Sequence, residues 1–182
     1  MLNLNFNPFP EIKTKRLLLR KVLPTDAESV MKIRGNEEAM RYIPRPRAKT
    51  VDDALNVIEM LANGIDEGKS INWAISNAEN PSEIFGIMGY VNFYPEQGKA
   101  EIGYMLHPDY WGKGYIPEAI AEVEKFGFQQ INLQIIEAKI DPRNDNSRKI
   151  LIRNNYQFDR LVQKEMVFQE EELDSEYYIK HR

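Results

Sequence analysis

Residues Ala100-Glu101-Ile102-Gly103-Tyr104-Met105-Leu106, then His107-Pro108-Asp109-Tyr110, then Trp111-Gly112-Lys113-Gly114-Tyr115-Ile116-Pro117-Glu118, decide how the chain is read. The order is a strand, a short glycine-bearing loop and the first turn of a helix. A helix start carries N–H groups without intrahelical partners and the positive end of the macrodipole. Gly112 and Gly114 let that backbone approach a bulky anion, so the unit is a candidate phosphate cradle. On spacing alone a tight strand-to-helix turn is the better reading. The dinucleotide pattern G-x-G-x-x-G fails because its third glycine falls on Pro117, and no G-x-x-x-x-G-K-[ST] occurs. Pro117 suits the first helical position and donates no N–H, so the donors must come from Gly112 to Ile116, with Lys113 as an added point charge.

Outward from this stretch, the chain reads as an α+β protein. Ile71-Asn72-Trp73-Ala74-Ile75, Ile84 to Tyr94 and the strand ending at Leu106 form an antiparallel meander. Ala119, Ile120, Val123 and Phe126 make the buried stripe of the helix after the loop. The next strand, Ile136 to Asp141, is reached by a helical crossover and so runs parallel to 101–106. Pro142 to Ser147 leads into a further helix, with Asn154-Asn155 as a left-handed stop. Two tail strands, Phe158 to Phe168 and Ser175 to Lys180, flank an acidic turn from Gln169 to Asp174. Before the meander, Leu17-Leu18-Leu19-Arg20 is a strand. Thr25 and Glu28 read as the capping box of one helix, and Thr50 caps another on which Ala54, Ile58, Leu61, Ala62 and Ile65 recur at helical spacing. The expectation is about seven strands and four helices in a single domain, residues 1–182.

Composition narrows the function. The 182 residues carry no cysteine and two histidines, His107 and His181. Thiolate nucleophiles and cysteine or histidine-rich metal sites are thereby excluded, and a reducing cytoplasm suits the composition. No apolar run of ~18 residues indicates a membrane span, and the first residues lack the pattern of a signal peptide. A formal charge of −4 argues against nucleic-acid binding and for a cationic partner.

The long central run, with Glu118-Ala119 after it, resembles motif A of the GNAT acyltransferase superfamily, and within it the RimJ/RimL branch of ribosomal-protein N-terminal acetyltransferases. Asp141-Pro142-Arg143-Asn144-Asp145-Asn146-Ser147 is similar to that branch's D-P-x-N-x-x-S segment. Thr14 to Arg20, Thr25-Asp26-Ala27 and Met40-Arg41-Tyr42 match its N-terminal pattern, so the similarity spans almost the whole chain. The resemblance implies the GNAT fold, a central twisted sheet, mostly antiparallel, and acetyl-CoA as co-substrate. Pyrophosphate would lie on the Gly112 to Ile116 amides and pantetheine beside Met105-Leu106. Trp111, Lys113, Tyr115, Asn144 and Ser147 complete the implied cofactor set, and no metal is implied. Acetyl transfer to an amine would be direct, in a ternary complex. Two departures stand out. Ile116 replaces a small residue and would crowd the helix start; Asn154-Asn155-Tyr156 replaces L-G-F.

A lysine amine costs about 4.6 kcal/mol to deprotonate at pH 7 and an α-amine only about 1 kcal/mol, so a lightly equipped site suits α-amines. Glu101 is the candidate base, acting through water. Strand alternation puts it on one face with Gly103 and Met105, although an edge carboxylate paired across strands is an equal reading. By family position Ser147 protonates the leaving thiolate and Asn144 serves the cofactor, while both also fit as helix caps. Tyr104 and Tyr156 are alternative acids, and His107 reads as a strand-end polar residue. Arg41, Arg45, Arg47 and Lys49 form a basic loop where GNAT enzymes often contact the acceptor. The acceptor expected is an α-amine of a protein or peptide, such as a ribosomal protein. A small amine, or acyl-CoA binding without turnover, are the alternatives, in a monomer or homodimer.

Overall fold

In the computed structural model, which describes residues 1–182, one eight-stranded sheet runs in the order β1-β2-β3-β4-β5-β6-β8-β7. The strands are β1 (Ile12–Lys13), β2 (Leu17–Lys21), β3 (Ile71–Asn77), β4 (Asn80–Tyr94), β5 (Lys99–Leu106), β6 (Ile135–Ile140), β7 (Gln157–Phe168) and β8 (Glu171–His181). The helices are α1 (Ala27–Gly35), α2 (Glu37–Met40), α3 (Val51–Asp66), α4 (Tyr115–Phe126) and α5 (Asp145–Arg153). The meander β3-β4-β5 is antiparallel, and β5 and β6 are parallel, as the crossover requires. This is the expected α+β GNAT architecture, with the two-residue strand β1 and the four-residue helix α2 added.

Period-two alternation divides the core between the two faces of the sheet. Ala100, Ile102 and Leu106 of β5 join Trp73, Met88 and Tyr90 beneath α4, whose Ala119, Ile120 and Val123 are fully buried. Met105 packs on the opposite face with Ala74 and Ile87 against Val30 and Ile33 of α1 and Ala54 and Ile58 of α3. Glu101 and Gly103 share the Met105 face by the same alternation. Space beside Gly103 is tight: a Cβ would come within 3.1 Å of Val91 Cγ1, at the bulge that interrupts the β4–β5 register.

Local signals were read unevenly by the fold. Thr50 caps α3 in a box with Asp53, as its spacing requires. Asn155 takes the left-handed conformation at φ 64°, so it does the work of the family's glycine. Thr25, in contrast, caps nothing. Asp26 occupies that place, accepting from the Leu23 N–H at 2.8 Å and forming a two-pronged ion pair with Arg20, both bonds 2.8 Å. Pro117 is not the first residue of α4, which begins two residues earlier at Tyr115. The acidic segment is not a long turn either: only Gln169 and Glu170, at φ 49° and 66°, make the reversal, and Glu171 already belongs to β8.

Arg20 and Asp26 are 11% and 4% exposed, so the pair fastens β2 to the start of α1 away from water. Arg20→Met removes the cation and strands the carboxylate, which costs about 3 kcal/mol for a buried pair. Chemical denaturation should show that loss; an unchanged midpoint would mean the pair is energetically idle.

Candidate active site

The site begins where the two parallel strands part. β5 and β6 pair from Lys99↔Ile135 to Ile102↔Ala138 and no further. Beyond that point β5 stays bonded to β4 as far as Leu106, while β6 stays bonded to β8 as far as Ile140. The gap leaves the β6-facing backbone of residues 103–105 without a strand partner. Both α4 and α5 start beyond the carboxyl ends of these strands, the usual place for a ligand in an open sheet. A cleft of about 1530 Å³ opens there, and Glu101, Gly103, Tyr104, Met105, Asn144 and Ser147 line it.

The α4 start carries the most distinctive feature. Gly112 and Gly114 have φ values of 72° and 75°, and none of the backbone N–H groups of Gly112, Lys113, Gly114, Tyr115 or Ile116 has a partner in the chain. Five unmet donors at the head of a twelve-residue helix make a nest for an anion. Arg16 reaches this loop from the start of β2. Its Nη1 donates to the Lys113 carbonyl at 3.0 Å, its Nε to Glu118 at 2.6 Å, and its guanidinium lies 4.7 Å from the Tyr115 ring centre. Burial alone would raise the Glu118 pKa, but hydrogen bonds from the Thr14 hydroxyl and Arg16 hold it below the usual carboxylate range. The carboxylate nearest the nest is therefore already countered. Lys113 Nζ stands 5.0 Å from the Tyr110 ring centre.

Around the nest, Trp111 donates its indole N–H to the Leu106 carbonyl at 3.0 Å and so ties the loop back to β5. Leu106 itself is turned into the core, leaving only backbone to a ligand. Ile116 corrects the expected crowding: its side chain is 6% exposed, inside the main core, while its N–H remains unmet. Trp111, Leu106 and residues 112–116 lie outside the wall of the main cleft.

Inside the cleft, Glu101 Oε2 accepts from Asn92 Nδ2 at 2.9 Å and from the Tyr94 hydroxyl at 3.5 Å, and Glu101 has no ion pair. Asn144 caps α5, its Oδ1 accepting from the Ser147 N–H at 3.1 Å. The Tyr104 hydroxyl is buried without a full hydrogen bond; burial pushes its pKa up to about 12 while the nearby Ser147 pulls the other way. Tyr156 is withdrawn from the cleft, buried beside Glu124 and with its pKa well above the ordinary value through that burial. His107 caps the turn at 108–110, its Nδ1 accepting from the Asp109 N–H at 3.4 Å. Asn92, Arg16 and Arg34 have no signal in the sequence, since each meets the site only through sheet register or loop packing.

The acetyltransferase (GNAT) domain family is matched over residues 16–157, and this chain belongs to that family. It is an N-acetyltransferase by that membership, and GNAT acetyltransferases use acetyl-CoA. An N-acetyltransferase of Bacillus licheniformis, p20, is 34% identical over 149 residues, 82% of this chain and 83% of that one. The crystal structure of a GNAT acetyltransferase from Bacillus anthracis superposes with a TM-score of 0.83 at 25% identity, covering 94% of this chain and 98% of that one. RimL, the ribosomal L7/L12 α-N-protein acetyltransferase solved with coenzyme A, shares the fold with a TM-score of 0.85 at 14% identity, over 94% of this chain and 98% of its own.

Proposed function

We propose that the whole chain acts as one domain that acetylates the α-amine of a peptide or protein in the cytoplasm, within a ternary complex. The observation that carries the cofactor half is the row of five unmet N–H groups from Gly112 to Ile116, which fits a pyrophosphate. Arg16 and Lys113 add positive charge beside it, and Trp111 and Tyr115 shape the loop. Acetyl-CoA supplies the thioester. Met105 lines the cleft beside the strand gap, and the unpaired backbone edge of 103–105 offers an extended ligand partners.

The two chemical groups stand on opposite sides of that gap. Glu101 is on the α1/α3 face, where the ammonium of the acceptor is attracted to it and gives up a proton through water. The free amine forms the new C–N bond as the C–S bond breaks, and the second proton that the nitrogen sheds replaces, through water, the one that Ser147 gives up. Ser147, at the start of α5, supplies a proton to the departing thiolate, with Asn144 fixing the turn that holds it. An α-amine needs only about 1 kcal/mol of help to lose its proton at pH 7, which a single carboxylate can provide. Thiol release from acetyl-CoA, measured over peptides with free α-amines, lysine side chains and small amines, tests this reading. Turnover confined to α-amines is expected; stabilisation by acetyl-CoA without turnover on any amine would make the chain a sensor.

A further inference from the structure

On the α1–α3 side of the cleft Glu37 and Glu67 are already paired, with Arg47 and Lys69, and no carboxylate pairs with Arg34. Arg34, in the last turn of α1, lines the cleft with its Nε buried and without a partner, and it makes no ion pair. Arg34 is partly exposed, but a buried guanidinium N–H without an acceptor or counter-charge is costly and would be relieved by an anionic ligand. The loop from Arg41 to Lys49 brings further cations to the same place. Ala48, buried, donates its N–H to the Arg34 carbonyl at 3.2 Å, which pins this loop over the end of α1. Burial first, and the positive charge of Arg45 second, lower the Arg34 pKa. Arg47 is taken by Glu37 at 3.3 Å, whereas Arg34, Arg41, Arg45 and Lys49 make no ion pair with a carboxylate.

The facing wall has the opposite deficit. Lys139 neutralises Glu165 at 2.9 Å and Arg143 neutralises Asp141 at 2.7 Å, but Glu101 has no cation. By strand alternation Glu101 shares the face of Met105, which packs against α1 and α3, and Arg34 belongs to α1; both line the cleft. An unpaired cation and an unpaired anion thus share one cleft. We infer that the acceptor is a zwitterion, its amine directed to Glu101 and its carboxylate held by Arg34 with Arg45. This rests on the acetyl-transfer reading for the role of Glu101, and it narrows the acceptor to amines that carry a carboxylate, from a free amino acid or the end of a short peptide.

The test uses matched pairs: L-amino acids and their carboxamides, and dipeptides with free or amidated C-termini. Thiol release gives kcat/KM for each, in the intact enzyme and in Arg34→Met, which keeps the aliphatic stem. The acid of a pair should exceed its amide by at least about tenfold, as a charge-assisted hydrogen bond predicts. Arg34→Met should erase that difference by lowering the rate on the acid to that on its amide. Preference for free amino acids over dipeptides, or the reverse, names the source of the carboxylate. Equal rates for acid and amide overturn the inference.

Two further measurements separate the possible failures. Without any ligand, Arg34→Met should melt at or above the temperature of the parent, since it removes an uncompensated charge. A lower melting temperature would mean that Arg34 merely complements the end of the α1 dipole, and the inference falls. If no amine yields thiol, N-acetyl amino acids are titrated into the complex with CoA. Stabilisation that Arg34→Met abolishes keeps the carboxylate seat and removes the transfer reading; no stabilisation at millimolar concentration removes both.

Discussion

Glu101→Gln lowers kcat/KM for the acceptor by about a hundredfold or more, within the range for loss of a positioned general base. The substitution preserves shape, and the new side-chain oxygen can still accept from Asn92 Nδ2, 2.9 Å from the native carboxylate. Neither the fold nor the affinity for CoA should change, because the phosphate nest lies outside the cleft wall that Glu101 occupies. What is lost is basicity and the negative charge that draws an ammonium into the cleft. Steady-state rates at fixed acetyl-CoA, paired with a melting curve, measure this. An unchanged rate would return Glu101 to the role of a strand-edge carboxylate held by Asn92 and Tyr94.

Gly114→Val is expected to weaken CoA binding by at least about tenfold. The cause is backbone conformation rather than space. Gly114 has φ 75°, where a β-branched residue is strained by about 1–2 kcal/mol. A Cβ built there meets nothing nearer than Arg16 Nη2 at 3.6 Å, which is ordinary contact. Valine therefore drives the chain out of the left-handed conformation, and the N–H groups of residues 112–116 no longer converge. Calorimetric titration with CoA reads the effect directly, and an unaltered dissociation constant would remove the nest from the binding site.

What could be read in the sequence was what residues a few positions apart decide together. Thr50 with Asp53, Asn155 after α5, and the crossover that makes β5 and β6 parallel all follow from local chemistry and chain connectivity. The errors arise where a distant partner wins. Thr25 loses the cap to Asp26 because Arg20, on a neighbouring strand, holds the Asp26 carboxylate. Glu118 and Arg16 meet across about a hundred residues, so only the folded chain shows that the nest has a guanidinium beside it. Ile116 looked obstructive because its side-chain direction depends on how α4 sits on the sheet. Arg34 carries no local signal, because the burial of its Nε depends on how a distant loop folds over the end of α1.

The central claim is that the five donors at the head of α4 receive the pyrophosphate of acetyl-CoA. Amide-proton NMR during a CoA titration addresses each donor separately. The largest downfield shifts should fall on Gly112, Lys113, Gly114, Tyr115 and Ile116, saturating together with the calorimetric binding curve. CoA that binds and leaves these five resonances in place, while moving others, would contradict the account.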